Sequence, residues 1–416
     1  MKAMEIRAVS SVAIPATSKL NPVRELVIPL PVQKAMAYLA ILGRCYLSGG
    51  VVRDLLMSRQ PKDYDLISDA SVEMITGIPG AKVMTNVTNT IFVHVDGIEI
   101  EITPLQNKGK HGIIDDLMDR DLTINSMAIQ VSVKNGQIVL GTLLDPTGRG
   151  VGDVKQGIVH FSDTAEITPE RLIRTCRFAS TLNFTASRET IDKLRAHSGS
   201  IGRAPVEKVQ TEFMKILESD NPSAGLSLMI ETGILDHMLK FAKSPAEVST
   251  QNLNLERTVQ ASQDVRLVIL LKELRYTSKN FNGFLKKYCF SNEEIQRSQK
   301  LLEALESVDK LQSNAEIREV LAKLAGNKEK DQYLEGFISL LKAYSVLSNE
   351  LEVRIRKASQ ATLTIRELAV NGEDLKQMGL SGPGIGNALK RLLALVIADP
   401  DLNSKEVLLS KIKEGK

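Results

Sequence analysis

The sequence predicts an α+β protein: a small head of mixed or antiparallel sheet with helices, then an elongated remainder built only of helices. Three observations carry this. Short β-rich segments crowd the first 160 residues. From Thr168 onward, apolar residues recur at i, i+3 and i+4 between polar gaps, as in RLIRTCRFA and AEIREVLAKLA. A length of 416 residues, at roughly 100–200 per domain, makes two to four compact units.

Taken in order, the first 31 residues carry Ser, Lys and Arg together with Glu5 and Glu25 but no signal-peptide core. They read as a soluble extension, with a transit peptide as the alternative. YLSGG (46–50), DYDLIS (63–68), TIFVHV (90–95), IEIEIT (98–103) and MAIQVSV (127–133) are the strands, and Asn135-Gly136 is a hairpin turn with QIVLGTLLD as its return. Thr168-Pro169 starts a helix: a cap, then Pro in the first turn. Breaks fall at 198–205, 240–252 and 325–332, and no fixed-period repeat is present.

Composition narrows the function. Lys plus Arg is 53 and Asp plus Glu is 50, so the net charge of +3 does not demand a polyanion partner, while leaving room for a local basic groove. Aromatics at 4%, with no Trp, argue against a stacking platform for single strands. Cys45, Cys176 and Cys289 are odd in number and far apart, which gives no disulfide framework and fits a reducing compartment. The five histidines show no metal-ligand spacing, and no apolar run reaches the ~18 residues of a membrane span.

Three constellations carry chemistry. In LSGGVVRDLL, Gly49 and Gly50 end a strand before a helix start, so backbone N–H groups can approach a phosphate, and Arg53 adds a cationic donor. In KDYDLIS, Asp63 and Asp65 at i, i+2 on a strand point to one face, about 6.5–7 Å apart, and can share a divalent cation; Mg²⁺ suits carboxylates combined with a substrate phosphate. Each half alone reads as a turn or a solvated strand; the two together favour phosphate and metal. In DDLMDRDLTINSMAI, Arg120 can pair with phosphate and Asp121 and Asn125 with ribose hydroxyls, although alone the stretch reads as a helix start capped by Asp121 or Thr123. In ITPERLIRTCRFA, Arg171, Arg174 and Arg177 span an arc of about 120° on one helix face, opposite Leu172, Cys176 and Ala179, and would repel unless they meet anions.

In this order the stretches resemble the class II nucleotidyltransferases: tRNA CCA-adding enzymes and bacterial poly(A) polymerases. The match is spread over most of residues 45–220, and the tail LTIRELAVNGEDLKQMGLSGPGIGNALKRLLALV is similar to that of the Gram-positive CCA-adding type. LLDPTGRGVGDVKQGIVHF looks like the segment linking head to neck, with Asp145 and Asp153 at its marked positions.

The resemblance implies a polymerase-β-like head at 33–157 behind the extension 1–32, a nucleotide-reading neck at 158–220, a body at 221–310 and an RNA-docking tail at 311–416. It implies that Asp63 and Asp65 hold Mg²⁺, with Glu101 as a third carboxylate in preference to Glu99. Gly49, Gly50, Arg53 and Arg120 would hold a triphosphate, with Asp121 and Asn125 near the ribose. Thr168, Arg171, Arg174 and Arg177 would line the base of CTP or ATP. The implied activity is template-independent addition of CC or CCA to the 3′ end of tRNA in the cytoplasm, with no obligate protein partner evident. A poly(A) polymerase and a non-catalytic RNA-binding descendant are the alternatives.

The sequence departs from the family pattern at three places. Thr168 stands where the family has a base-reading Asp. Asp119 stands where it usually has an Arg. The connection from Thr103 to Asp116 is short, which is a mark of enzymes that add only the two cytidines. Elsewhere, the basic stretch 257–287 is expected either to touch RNA backbone or to be a solvated helix face. Gly382–Gly386 before Lys390 and Arg391 is expected to be either a phosphate dock or a plain turn.

Overall fold

The computed structural model describes residues 28–85, 90–105, 112–324 and 330–414. The chain divides into two compact units, Met1–Ile201 and Gly202–Lys416. The division falls within the 158–220 stretch expected as a neck.

The first unit opens with α1 (Leu30–Leu42), with Pro31 in its first turn. It begins inside the stretch 1–32 expected as an extension. Its Val32, Ala35, Met36 and Leu39 are fully buried, and the helix packs along the sheet. The strands are β1 (Cys45–Ser48), β2 (Tyr64–Ser68), β3 (Lys82–Thr85), β4 (Ile91–Val95), β5 (Ile98–Pro104), β6 (Ala128–Lys134) and β7 (Gln137–Leu144). They form one mixed sheet in the order β3-β4-β5-β2-β1-β6-β7. Only β2 and β5 run parallel among its neighbours. Asn135 (φ 51°) and Gly136 (φ 75°) close the β6–β7 hairpin in the left-handed conformation that a two-residue turn requires. The four-residue β3, after the Pro79-Gly80 turn, escapes sequence reading because it is too short to show a period. Asp63 immediately precedes β2 rather than lying in it.

Register sorts the two faces of the sheet. Leu47, Leu66 and Ile102 stand opposite one another on one face, all buried. Tyr46 and Ile67 lie on the other, in a cluster with Leu105, Ala128 and the Ile113 and Leu117 side chains of α4 (Ile113–Met118). Asp65, two residues before Ile67, shares this second face. The short helices α2 (Gly50–Leu56), α3 (Val72–Thr76) and α5 (Gly150–Gln156) complete the head. Beyond it come β8 (Ile158–Val159), α6 (Pro169–Leu182), β9 (Thr185–Ala186) and α7 (Arg188–His197). The β8–β9 pair is a two-residue parallel ladder within the part expected to be helical, too brief to leave a sequence signal.

The second unit is helical throughout its described residues, from α8 (Val206–Glu218) to α20 (Lys405–Glu414). Its core contains Phe213, Tyr276, Phe284 and Tyr288, with Phe284 and Tyr288 ring centroids 5.1 Å apart. Leu368, Val370, Leu375, Leu392, Val396, Leu408 and Ile412 gather in a separate cluster near the C-terminus. The basic stretch 257–287 is not one free face. Arg257 pairs with Glu273 at 2.6 Å, and the buried Arg266 donates to the carbonyls of Leu217, Ser219 and Ala261. Gly382 is the N-cap of a sixteen-residue helix that starts at Pro383, so Gly384 and Gly386 lie in its first turn, and Lys390 and Arg391 are exposed. Among the described residues no helix is long and apolar enough to cross a membrane.

Candidate active site

Gly49 sets the geometry. It leaves β1 at φ 72° and ψ −130°, a conformation that essentially only glycine adopts. A Cβ there would collide with the Arg120 guanidinium and lie 3.3 Å from Asp65 Oδ2. The turn, a cation and a carboxylate therefore meet at one point. Gly50, in contrast, has ordinary space around it, the nearest atom being Arg53 Nη2 at 3.5 Å.

The parallel ladder places Glu101 directly across from Asp65, so both carboxylates project from the same face of adjacent strands. Glu99 lies one step away, in register with His94 of β4, and is exposed. Asp63 is exposed at the entrance to β2 and still adds to the repulsion at Asp65. Burial first, then Asp63, pushes the Asp65 carboxyl above its ordinary value, against the pull of Arg120, Arg174 and Arg53. Glu101 is also raised, by burial and then by Asp65. Half-buried carboxylates raised by burial and by a neighbouring carboxylate, Asp63 at Asp65 and Asp65 at Glu101, are suited to a hard divalent cation, which would offset both the burial and the repulsion. Among the described residues no three His, Cys, Asp or Glu side chains gather closely enough to hold an ion by themselves. The donor set therefore fits an ion that takes its remaining ligands from substrate phosphate and water.

Around this row lies a guanidinium network. Arg53, 8% exposed, directs Nε and Nη2 to Asp54 at 2.9 and 2.7 Å, and Nη1 to Asn125 Oδ1 at 2.7 Å. Asn125 is itself buried, and its Nδ2 has no partner among the described residues, a donor left open inside the site. Arg120 is held by Asp116 on α4, with Nε and Nη2 at 3.3 and 3.2 Å from Oδ2. Arg174 pairs with the buried Asp121 at 2.9 Å. Arg171 donates to two main-chain carbonyls, those of Glu166 (2.9 Å) and Asp119 (3.0 Å). Thr168 is the N-cap residue of α6, and its side chain makes no capping hydrogen bond. Arg177 lies over the Phe178 ring at 4.0 Å, and the buried Leu172, Cys176 and Ala179 occupy the opposite stripe.

Asp145 and Asp153 hold the adjoining segment together. Asp145 accepts from Thr147 Oγ1 and Val151 N, and the buried Asp153 accepts from Thr123 Oγ1 at 2.5 Å. Sequence reasoning missed Asp54, Asp116 and Phe178. The i, i+4 spacing of Asp116 and Arg120 was a usable signal; for Phe178 there was none. The connection from β5 to α4 runs from 105 to 112, and its residues 106–111 lie outside the described residues.

Known proteins match this arrangement along the chain. Three family models cover it in succession: "Poly A polymerase head domain" over residues 45–160, "Probable RNA and SrmB-binding site of polymerase A" over 183–244, and tRNA nucleotidyltransferase domain 2 over 260–412. A CC-adding tRNA nucleotidyltransferase of Halalkalibacterium halodurans is 34% identical over 193 residues, 45% of this chain and 48% of that protein, so the match spans about half of that relative. A CCA-adding enzyme of Pediococcus pentosaceus is 25% identical over 391 residues, covering 89% of this chain and 93% of its own length. The crystal structure of the Bacillus stearothermophilus CCA-adding enzyme in complex with CTP superposes with a TM-score of 0.70 at 21% identity, over 93% of this chain and 99% of that one, and establishes a shared fold. With the head, RNA-binding and second-domain models matched in order along one chain, the protein belongs to the tRNA nucleotidyltransferase and poly(A) polymerase family.

Proposed function

We propose that this protein adds cytidine, as CC or as CCA, from CTP and ATP to the 3′ end of tRNA, releasing pyrophosphate. The observation that carries the reading is the Asp65–Glu101 row beside the Gly49 turn, ringed by Arg120, Arg174 and Arg53. The match to tRNA nucleotidyltransferase domain 2 and the similarity to a CC-adding tRNA nucleotidyltransferase and a CCA-adding enzyme favour tRNA as the acceptor.

Asp63 and Asp65 would hold Mg²⁺, which when bound would lower the charge on the α-phosphate and ease loss of the 3′-hydroxyl proton. The 3′ oxygen attacks the α-phosphorus, and the bond to the pyrophosphate oxygen breaks. Glu101, its carboxyl raised by burial and by Asp65, is suited to accept the departing proton. The backbone N–H of Gly50, with Arg120 and Arg53, binds the triphosphate. The Gly49 N–H, expected to contribute as well, is donated to the Met127 carbonyl at 3.0 Å, so Gly49 supplies the turn instead. Asp121 and Asn125 face the ribose, and the open Asn125 Nδ2 supplies a donor for a hydroxyl oxygen. Thr168 and Arg171 meet the base edge, with Arg174 and Arg177 behind them. These substrates, together with three unpaired thiols, suit the cytoplasm.

The test is incubation with tRNA ending at the discriminator base, Mg²⁺ and each nucleotide alone and together, followed by sequencing of the 3′ ends. CTP alone is expected to give CC ends. Long A tails would move the assignment to a poly(A) polymerase, and no addition from any nucleotide would remove the catalytic reading.

A further inference from the structure

Phe178 is 5% exposed in the middle of α6, yet three guanidinium groups converge on its ring. Arg177 Cζ lies 4.0 Å from the centroid, Arg53 Cζ 5.3 Å and Arg174 Cζ 5.7 Å. Two of these arginines come from α6 and the third from α2, so the ring joins two elements. Carboxylates offset repulsion among these like charges. Arg53 has Asp54, and Arg174 has Asp121. What the ring adds is a face of negative quadrupole within reach of all three, which an aliphatic side chain of the same size lacks.

We infer that Phe178 is a positioning residue. Its π face holds Arg53, Arg174 and Arg177 as one preset cationic cradle before nucleotide arrives, without touching the nucleotide itself. This rests on the nucleotidyltransferase reading of the same site, because the cradle's charge is assigned to a nucleoside triphosphate. The ring's electron density, beyond its volume, should therefore set affinity for CTP. Occupancy of the cradle should matter more for KM than for kcat, since the arginines bind the nucleotide and the reacting atoms lie at the carboxylate row.

The test replaces Phe178 in the full chain with phenylalanines carrying one, two and three ring fluorines, which drain the π face while barely changing shape. The KM for CTP with tRNA and Mg²⁺ is expected to rise stepwise, reaching about tenfold or more with three fluorines, while kcat changes less than threefold. Phe178→Tyr should stay within about twofold of wild type and Phe178→Leu should match the trifluorinated protein. In parallel, phenylglyoxal labelling mapped by mass spectrometry reads the three arginines without any turnover. Labelling of Arg53, Arg174 and Arg177 should quicken along the fluorine series. A flat series in both measurements overturns the inference. A stepwise rise in labelling in a protein that adds no nucleotide would uphold the role of the ring and overturn the proposed function instead.

Discussion

Asp65 and Glu101 are held against each other at a cost. Both carboxyls are raised in the folded protein, so the native state binds their protons more tightly than the unfolded chain does. Any stability from this source is present below the ordinary carboxylate range, near pH 4, and is lost as pH rises through the raised folded values. At neutral pH the metal-free site is therefore a destabilising element. Asp65→Asn is expected to raise the melting temperature of the metal-free protein at pH 7 and to abolish nucleotide addition. Thermal scans with and without Mg²⁺, beside single-turnover assays, check both halves. A melting temperature that falls would mean that the carboxylate is held by contacts that outweigh the repulsion. Gly49 offers a second test by contrast with its neighbour. Gly49→Ala forces a side chain into a glycine-only conformation, at about 1–3 kcal/mol of strain, and drives it into Arg120. Gly50→Ala fits the space available. The first should lose at least a hundredfold in CTP incorporation and melt lower; the second should keep most activity. Equal effects would mean that the turn geometry is not what matters.

At the scale of elements, α6 was the most legible part of the chain. Thr168-Pro169 marked its start, and the 3.6 period separated the arginine face from Leu172, Cys176 and Ala179. Strand existence was equally plain where alternation ran for five residues or more, as in IEIEIT. It was not plain for β3, β8 and β9, whose two to four residues are too few to show a period; β3 is held by the next strand, β4, and β8 and β9 pair across the intervening α6. Within the site, spacing exposed the residues that carry charge, but not those that position them. Nothing local in the sequence announces that Phe178 gathers three arginines, because two of the elements involved meet only in the fold. Arg171→Ala and Arg174→Ala are expected to weaken CTP binding by about 1.5–3 kcal/mol each, the range for hydrogen bonds to charged groups. Equilibrium binding without RNA measures this directly, and unchanged affinity in both would make the stripe structural. The β5–α4 connection bears on the product. A pocket that takes C and then A must re-aim its base contacts, which calls for a moving segment, and here only residues 105–112 separate the two elements. We expect CC addition with weak or absent terminal A. Supplying tRNA that already ends in CC, with ATP and Mg²⁺, tests this; efficient addition of one A would assign complete CCA synthesis.

For the whole molecule, the chain forms two compact units, and burial makes their thiols unequal. Cys45 and Cys176 are fully buried in the first unit, where desolvation pushes both thiols up, whereas Cys289 is exposed in the second. Titration with a thiol reagent should count one reactive cysteine in the native protein and three in denaturant. Two or more in the native state would show that the first unit opens readily. The +3 net charge foretold none of the local arrangement, because buried cations such as Arg53 and Arg266 are tied up by neighbouring groups.

Arg171 is steered by the main chain, through the carbonyl oxygens of Glu166 and Asp119. Every residue type has that oxygen. The side chains at 119 and 166 can therefore drift over generations without disturbing the aim of the arginine, provided the backbone keeps its path. This gives a physical reason why the acidic Asp119 can stand where the resemblance to the family led us to expect a basic residue. It also means that inheritance of this contact is written in the shape of the chain, and a comparison of residue identities alone would overlook it.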